Sequence, residues 1–121
     1  MNTVGEKINF EEITKSCRQM NPQELMQLLR ADFWKFASWG ATAFTVDNKR
    51  NPKMLRFKSN GYKHKGHVYI FVNGSDLFDV YLTSIQGTIT EISDGSHGGL
   101  YFDMLVDWID DRIERQDEYV R

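Results

Sequence analysis

Seven cationic residues and no acidic residue lie between positions 49 and 65. They are Lys49, Arg50, Lys53, Arg56, Lys58, Lys63 and Lys65. His67, Tyr69 and Phe71 follow at every second position, so they share one face of a predicted strand. Cations beside aromatic rings suit a nucleic-acid strand, because they neutralise phosphates while the bases stack on the rings. The same ten residues also suit an acidic protein partner, or a solvated sheet face in which lysine stems cover the rings.

The last predicted helix carries an acidic face. Asp103, Asp107 and Asp111 are spaced i, i+4, i+8, so like charges align and destabilise the helix by about 0.2–0.5 kcal/mol per pair. Together with Asp110 and Glu114 they form a candidate acidic partner face. A cationic partner, or the basic segment of a second copy, would relieve the repulsion. Paired carboxylates also suit a hard metal cation, although no turn-forming ligand loop accompanies them.

Other residue types that perform chemistry are few. Cys17 is the single cysteine, and a nucleophilic role would require a histidine and an orienting group beside it. His64, His67 and His97 are zinc-ligand types whose spacing does not make them converge. The glycine-rich residues 94–99 precede a helix and form either an anion site or a simple turn. We therefore expect no catalytic residue, no metal and no cofactor.

Composition limits the class of protein. The 121 residues are 40% hydrophobic and 13% aromatic, which is enough for a single α+β domain with its own core. We expect residues 1–8 to be flexible and residues 119–121 to be frayed. The N-terminus lacks the apolar run of a signal peptide, and no segment approaches the ~18 apolar residues of a membrane span. We therefore expect a cytoplasmic protein that contacts no membrane.

Two helix starts are visible near the N-terminus. Asn9 and Asn21 are each followed by a glutamate three residues later, the pattern of a capped first turn, and Pro22 occupies the first position of the second helix. These signals predict helices over residues 10–19 and 22–31. Leucines at helical spacing in the second helix predict its buried stripe.

The hydrophobic period then changes from 3.6 to 2, which predicts strands. They are expected over residues 34–46, 54–58, 67–72, 77–85 and 88–92. The short connections between them favour an antiparallel meander over parallel crossovers.

One turn and one helix complete the predicted fold. Asn73-Gly74 is typical of a two-residue hairpin turn, which places Val68, Ile70 and Val72 on the face towards the helices. Apolar periodicity predicts a C-terminal helix over residues 100–118. The resulting fold is α+β, in the order α-α-β5-α: two N-terminal helices, a five-stranded antiparallel sheet and a C-terminal helix. All helices are expected on one face of the sheet.

Three segments stand out together, namely DFW with SWGA in residues 32–41, KHKGHVYI in 63–70 and YFDMLVD in 101–107. They resemble small uncharacterised proteins encoded by phages and conjugative elements of anaerobic gut bacteria. The resemblance spans roughly residues 32–113 and supplies no catalytic residue. It implies an accessory protein of a mobile element, a class in which small non-enzymatic binders are common.

Three functional hypotheses follow. The first is a non-enzymatic mobile-element protein that acts through a protein–protein interface, on a host factor or as a weak two-fold homodimer. Its basis is the three Trp, eight Phe and five Tyr residues, more than one small core easily buries. The alternative is a nucleic-acid-binding protein that uses the basic and aromatic face of residues 49–71. The third is a small hydrolase or metal-dependent enzyme.

Overall fold

The computed structural model describes residues 2–61, 63–93 and 99–113, and these form an α+β arrangement with one antiparallel sheet. Its elements are α1 (Phe10–Thr14), α2 (Pro22–Arg30), α3 (Phe33–Ser38), β1 (Thr42–Val46), β2 (Met54–Asn60), β3 (Lys65–Val72), β4 (Phe78–Thr83), β5 (Ile89–Ile92) and α4 (Phe102–Ile113). The strands lie in the order β1-β2-β3-β4-β5. The predicted five-stranded meander is confirmed.

Both predicted helix caps are present. The Asn9 side chain accepts a hydrogen bond from the backbone N of Glu12 at 3.2 Å, and the Asn21 side chain accepts from the backbone N of Gln23 at 3.0 Å. However, α1 ends at Thr14 and not at residue 19. The chain leaves the helix because Arg18 joins the sheet, donating its backbone N–H to the oxygen of Val72 at 2.7 Å.

The single strand predicted over residues 34–46 is wrong, because its first part is helix α3. The Asp32 side chain caps this helix by accepting from the backbone N of Lys35 at 3.3 Å. Phe36 and Trp39, three residues apart, then turn towards the same core. Gly40 adopts a left-handed φ of +61°, a conformation that glycine tolerates, and the chain continues into β1.

The main core lies between one face of the sheet and helices α2, α3 and α4. The helices contribute Leu25, Leu29, Trp39, Leu105, Ile109 and Ile113, and the sheet contributes Leu55, Phe57, Val68, Ile70, Val80 and Leu82. The predicted register of β3 is confirmed, because Val68 and Ile70 are fully buried against this cluster and Val72 packs at its edge.

The other face of the sheet is partly covered by the N-terminal segment, residues 2–20. Its backbone first bonds beside β5, where Gly5 N donates to Ile89 O at 2.8 Å. It then crosses the sheet as α1, whose Phe10 and Ile13 pack with Tyr69 in a second cluster. The expectation that every helix lies on one face therefore holds for α2, α3 and α4 but not for α1. Apolar side chains on both sheet faces explain the difference, since each face needs cover.

The connection between β3 and β4 is longer than the predicted Asn-Gly turn. Val72 pairs with Phe78, so five residues form the loop. The Asn73 side chain organises it by accepting from the backbone N of Ser75 at 2.8 Å and of Leu77 at 3.2 Å. The left-handed residue is Asp76, with a φ of +66°. Asn73 thus begins a turn that is held together by hydrogen bonds to its own side chain.

Candidate functional site

The centre of the predicted basic face forms as expected. Arg56 lies opposite Tyr69 in the β2–β3 ladder, and Lys58 lies opposite His67, so these residues point to the sheet face that carries α1. The Arg56 guanidinium lies 6.0 Å from the centre of the Tyr69 ring. Arg56 is half-buried, whereas Lys58 is exposed.

Of the remaining cations, only Lys65 lies next to this centre, on the same face of β3 as His67. Lys49 and Arg50 lie in the loop before β2, and Lys53 directly precedes the strand. Lys63 lies beyond the far end of β2, where its backbone N donates to Ile113 O at 2.6 Å. The seven residues of β2 span roughly 20 Å at ~3.3 Å per residue. The seven cations therefore occupy two ends and the middle of a strand.

The aromatic residues predicted for this face are buried. Tyr69 is 4% exposed and Phe71 is fully buried, because α1 covers them, with the Phe10 ring centre 6.5 Å from that of Tyr69. A nucleic-acid base cannot stack on a ring that already lies in a core. The prediction of Tyr69 and Phe71 as binding residues is wrong, and among the described residues the rings that stay partly accessible on this face are those of the half-buried His67 and Tyr81.

The histidines of the described segments are poor cations. Burial lowers the pKa of His64 below its usual value. Burial, followed by the positive charges of Arg56 and Lys58, also lowers the pKa of His67. Both rings are therefore neutral at pH 7. His97 and the rest of residues 94–98 lie outside the described residues, and within the described ranges no three His, Cys, Asp or Glu side chains are placed to hold a metal ion.

The acidic residues of α4 have different environments. Asp103 is exposed, and Asp107 binds the Lys35 ammonium at 2.6 Å, a hydrogen bond that raises the pKa of Lys35. Asp110 is 6% exposed and accepts from the Trp39 indole N–H at 3.0 Å. The prediction of Asp110 as part of a partner face is therefore wrong.

Asp111 and Glu114 complete the predicted acidic face. Asp111 is half-buried, with a carboxylate oxygen 4.0 Å from the Arg112 guanidinium. Glu114 lies outside the described residues.

Cys17, the candidate nucleophile, lies in the second core cluster. Its thiol contacts the oxygen of Ile13 at 3.1 Å. Burial raises the pKa of the thiol to about 11, so the thiolate that would attack a substrate is disfavoured at pH 7. These features are typical of a packing cysteine.

An open groove of about 770 Å³ separates α2 from β1. Its residues are Pro22, Gln23, Met26, Gln27 and Arg30 from α2, Phe44, Thr45 and Val46 from β1, and Lys49 and Leu55 nearby. The α2 residues follow helical spacing along a side of the helix next to the leucine stripe. Met26, Phe44 and Val46 are half-buried against the main core, so the floor of the groove is apolar and accessible.

The two cations of the groove mark its ends. The Arg30 guanidinium lies 5.8 Å from the centre of the Phe36 ring, which stacks on Phe44 with ring centres 6.1 Å apart. Lys49 lies in the loop after β1. The start of α2 is next to this loop, since Met20 N donates to Pro52 O at 2.8 Å. Among the described residues, no acidic side chain lines the groove or pairs with either cation.

The groove opens along the free edge of the sheet. In the described part of the chain β1 pairs with β2 alone and is the outermost strand. Residues 44–46 line the groove consecutively, although neighbouring residues of a strand point to opposite faces, so the opening faces the strand edge. An irregularity at Ala43, with a φ of +55°, limits the regular edge to residues 44–46.

Sequence reasoning missed this groove. Lys49 is the one predicted site residue that lines it. The available signals were Met26, which widens the apolar stripe of α2, and the alternating Phe44 and Val46. They escaped notice because residues 34–46 were expected to form one strand, which hid the short edge strand β1.

Exposed aromatic residues form a further feature. Phe33 and Trp34 at the start of α3 are 64% and 81% exposed, and Tyr101 and Phe102 at the start of α4 are 51% and 69% exposed. The aromatic surplus seen in the sequence is thus partly on the surface.

The helices and the comparisons add two findings. None of the helices within the described residues is long and apolar enough to cross a membrane. Compared with protein-family models, curated proteins and solved structures, the chain gives no match.

Proposed function

We propose that this protein is a non-enzymatic protein-binding module whose binding site is the α2–β1 groove. The observation that carries the proposal is an accessible apolar floor beside the outer edge of β1, which pairs with no further strand of the described residues. Main-chain groups at such an edge bind polypeptide, and apolar pockets beside it select side chains. An accessory role in a mobile element and a host partner are part of the proposal that rests on the sequence resemblance alone.

A polypeptide suits the groove better than a nucleic acid does. The accessible apolar surface is contributed by Met26, Phe44 and Val46, and apolar burial drives protein association. The two cations at the groove ends are too few for the phosphate neutralisation on which nucleic-acid affinity depends. The separate basic face around Lys58 has more charge, but its described rings are buried or half-buried, which makes nucleic-acid binding the weaker candidate.

A selection from a random-peptide display library tests the proposal. The Gln27→Trp variant fills the groove, since Gln27 lines it and is exposed. Glu24→Trp is the matched control, because Glu24 is exposed on the same helix and does not line the groove. We expect selected peptides to bind the wild type and the Glu24→Trp variant alike, and to bind Gln27→Trp at least tenfold more weakly.

Two outcomes would overturn the proposal. One is a selection that enriches no peptide above background. The other is a set of enriched peptides that bind the Gln27→Trp variant as tightly as the wild type, which would place the binding site elsewhere.

A further inference from the structure

We infer that the occupant of the α2–β1 groove is an extended segment that adds a strand to the free edge of β1 and carries acidic residues near both ends. This inference rests on the proposed function and specifies the conformation and the charge of the bound segment. It is carried by the strand edge, by the apolar floor and by the positions of Arg30 and Lys49.

The free edge of β1 favours an extended segment. Its outward backbone groups have no strand partner among the described residues, and an added strand would satisfy them through ladder hydrogen bonds. A helical segment satisfies its own backbone groups and would leave this edge unpaired. The regular edge is short, covering residues 44–46, so the expected ladder involves only three or four residues of the partner.

The apolar floor of the groove and the solvent favour different residues on the two sides of the added strand. Alternate side chains of a strand point to opposite sides, so one set would face Met26, Phe44 and Val46 while the other faces solvent. The inward set is therefore expected to be apolar between its two ends, where acidic residues on the same side can reach the cations. β-branched residues suit both the strand conformation and this floor.

The two cations set the charge of the segment. Arg30 ends α2, and Lys49 belongs to the loop whose Pro52 accepts from Met20 N just before that helix. The nine residues of α2 span about 12–14 Å at ~1.5 Å per residue, a distance that an extended chain covers in about four residues. Acidic residues four positions apart would thus reach both cations. Acidic residues of the segment that face the two cations at the groove ends raise the association rate and select the partner.

Synthetic peptides test the inference. The probe has the central sequence ESVSE between glycine-serine ends, which puts both glutamates on the same side as the valine, and its palindromic order serves both strand directions. The comparison peptides are KSVSK, in which both charges are reversed, and ESVSE with N-methyl groups on every central amide, which removes the ladder donors in either strand direction. We expect ESVSE to bind, and each comparison peptide to bind at least tenfold more weakly in fluorescence anisotropy.

A charge exchange completes the test. The R30E/K49E variant should prefer KSVSK over ESVSE, which reverses the preference of the wild type. The K15E/K58E variant is the matched control, because it has the same net charge change at exposed positions outside the groove. We expect it to keep the wild-type preference, and circular dichroism should show both variants folded.

The outcomes separate this inference from the proposed function. If display-selected peptides bind in the groove but gain nothing from acidic residues, or bind equally well after N-methylation, the inference is wrong and the proposed function stands. If no selected peptide depends on the groove, the proposed function fails and the inference fails with it. A charge preference that reverses equally in K15E/K58E would reveal a general electrostatic effect and overturn the role of Arg30 and Lys49.

Discussion

The α2–β1 groove and the basic sheet face differ in what they leave accessible. In the groove, Met26, Phe44 and Val46 form a partly exposed apolar floor with cations at the two ends. On the basic face, α1 removes Tyr69 and Phe71 from solvent, so the accessible groups around Lys58 are charged or polar. The same residue types thus yield two different surfaces, because the path of the N-terminal segment decides which apolar groups stay available.

The contrast shows that charged and aromatic residues close together in a sequence do not by themselves form a binding surface. Arg56 and Tyr69 do lie side by side, as their strand positions predict. Whether such a ring can meet a ligand depends on a segment more than fifty positions away, since Phe10 packs on Tyr69. The groove, in contrast, combines a helix and a strand that the sequence separates by a further helix.

The largest expected effect on stability tests whether the aromatic residues of the basic face are buried in a core beneath α1. Phe71→Ala should lower the free energy of unfolding by about 3–5 kcal/mol, because it removes a fully buried ring. The matched Phe33→Ala change, at a ring 64% exposed, should alter it by no more than about 0.5 kcal/mol. Urea denaturation measures both, and a cost at Phe71 below about 1 kcal/mol would contradict the burial.

A somewhat smaller effect on stability is expected at Asp110, which the sequence predicts on the surface and which is buried in the structure. Asp110→Ala should cost about 1–3 kcal/mol, since it leaves the buried Trp39 indole N–H without its acceptor. Asp103→Ala, on the exposed side of the same helix, is the control and should be nearly neutral. Equal effects of the two changes in urea denaturation would mean that Asp110 belongs to an exposed acidic face.

The third prediction concerns binding and sharpens the difference between the two surfaces. A labelled 20-nucleotide single strand should show no anisotropy change at tens of micromolar protein and near-physiological salt, because the described rings of the basic face are buried or half-buried and leave little surface for stacking. Arg56→Ala and Lys58→Ala should then change nothing. Binding with a log–log salt slope of about −3, which falls by ~0.7 for each cation removed, would favour nucleic-acid recognition instead.

The smallest effect is the pH dependence of stability that arises from the half-buried His64. Burial lowers its pKa in the folded state, so the unfolded chain binds more protons between the lowered pKa and the usual value near 6.5. Stability should therefore fall as the pH drops through this window and recover as it rises. The His64→Gln variant should lose less stability between pH 7.5 and pH 5.5 in thermal unfolding, and an unchanged pH dependence would contradict a role for His64.

Local signals made much of the fold predictable. Asn9 and Asn21 cap helices through contacts within three residues, and the alternation in β3 places Val68 and Ile70 in the core. These features depend on neighbouring residues, so the sequence pattern contains them. α3 was missed because its aromatic residues also fit a strand and because the Asp32 cap was overlooked.

The candidate site was far less predictable. It requires α2 and β1 to lie side by side, an arrangement set by packing between distant residues such as Phe36 and Phe44. The position of α1 on the second sheet face is equally non-local. Composition and spacing show which residues are cationic or apolar, but tertiary packing determines which of them remain exposed.

The most direct test of the binding groove is an amide chemical-shift map of the isotope-labelled protein during titration with a display-selected peptide. Binding in the groove predicts that the largest shifts occur at Gln23–Arg30, Thr42–Val46 and Lys49, and that the amides of Arg56, Lys58 and His67 change little. Shifts that centre on Arg56, Lys58 and His67 while α2 and β1 stay unchanged would contradict the proposed function.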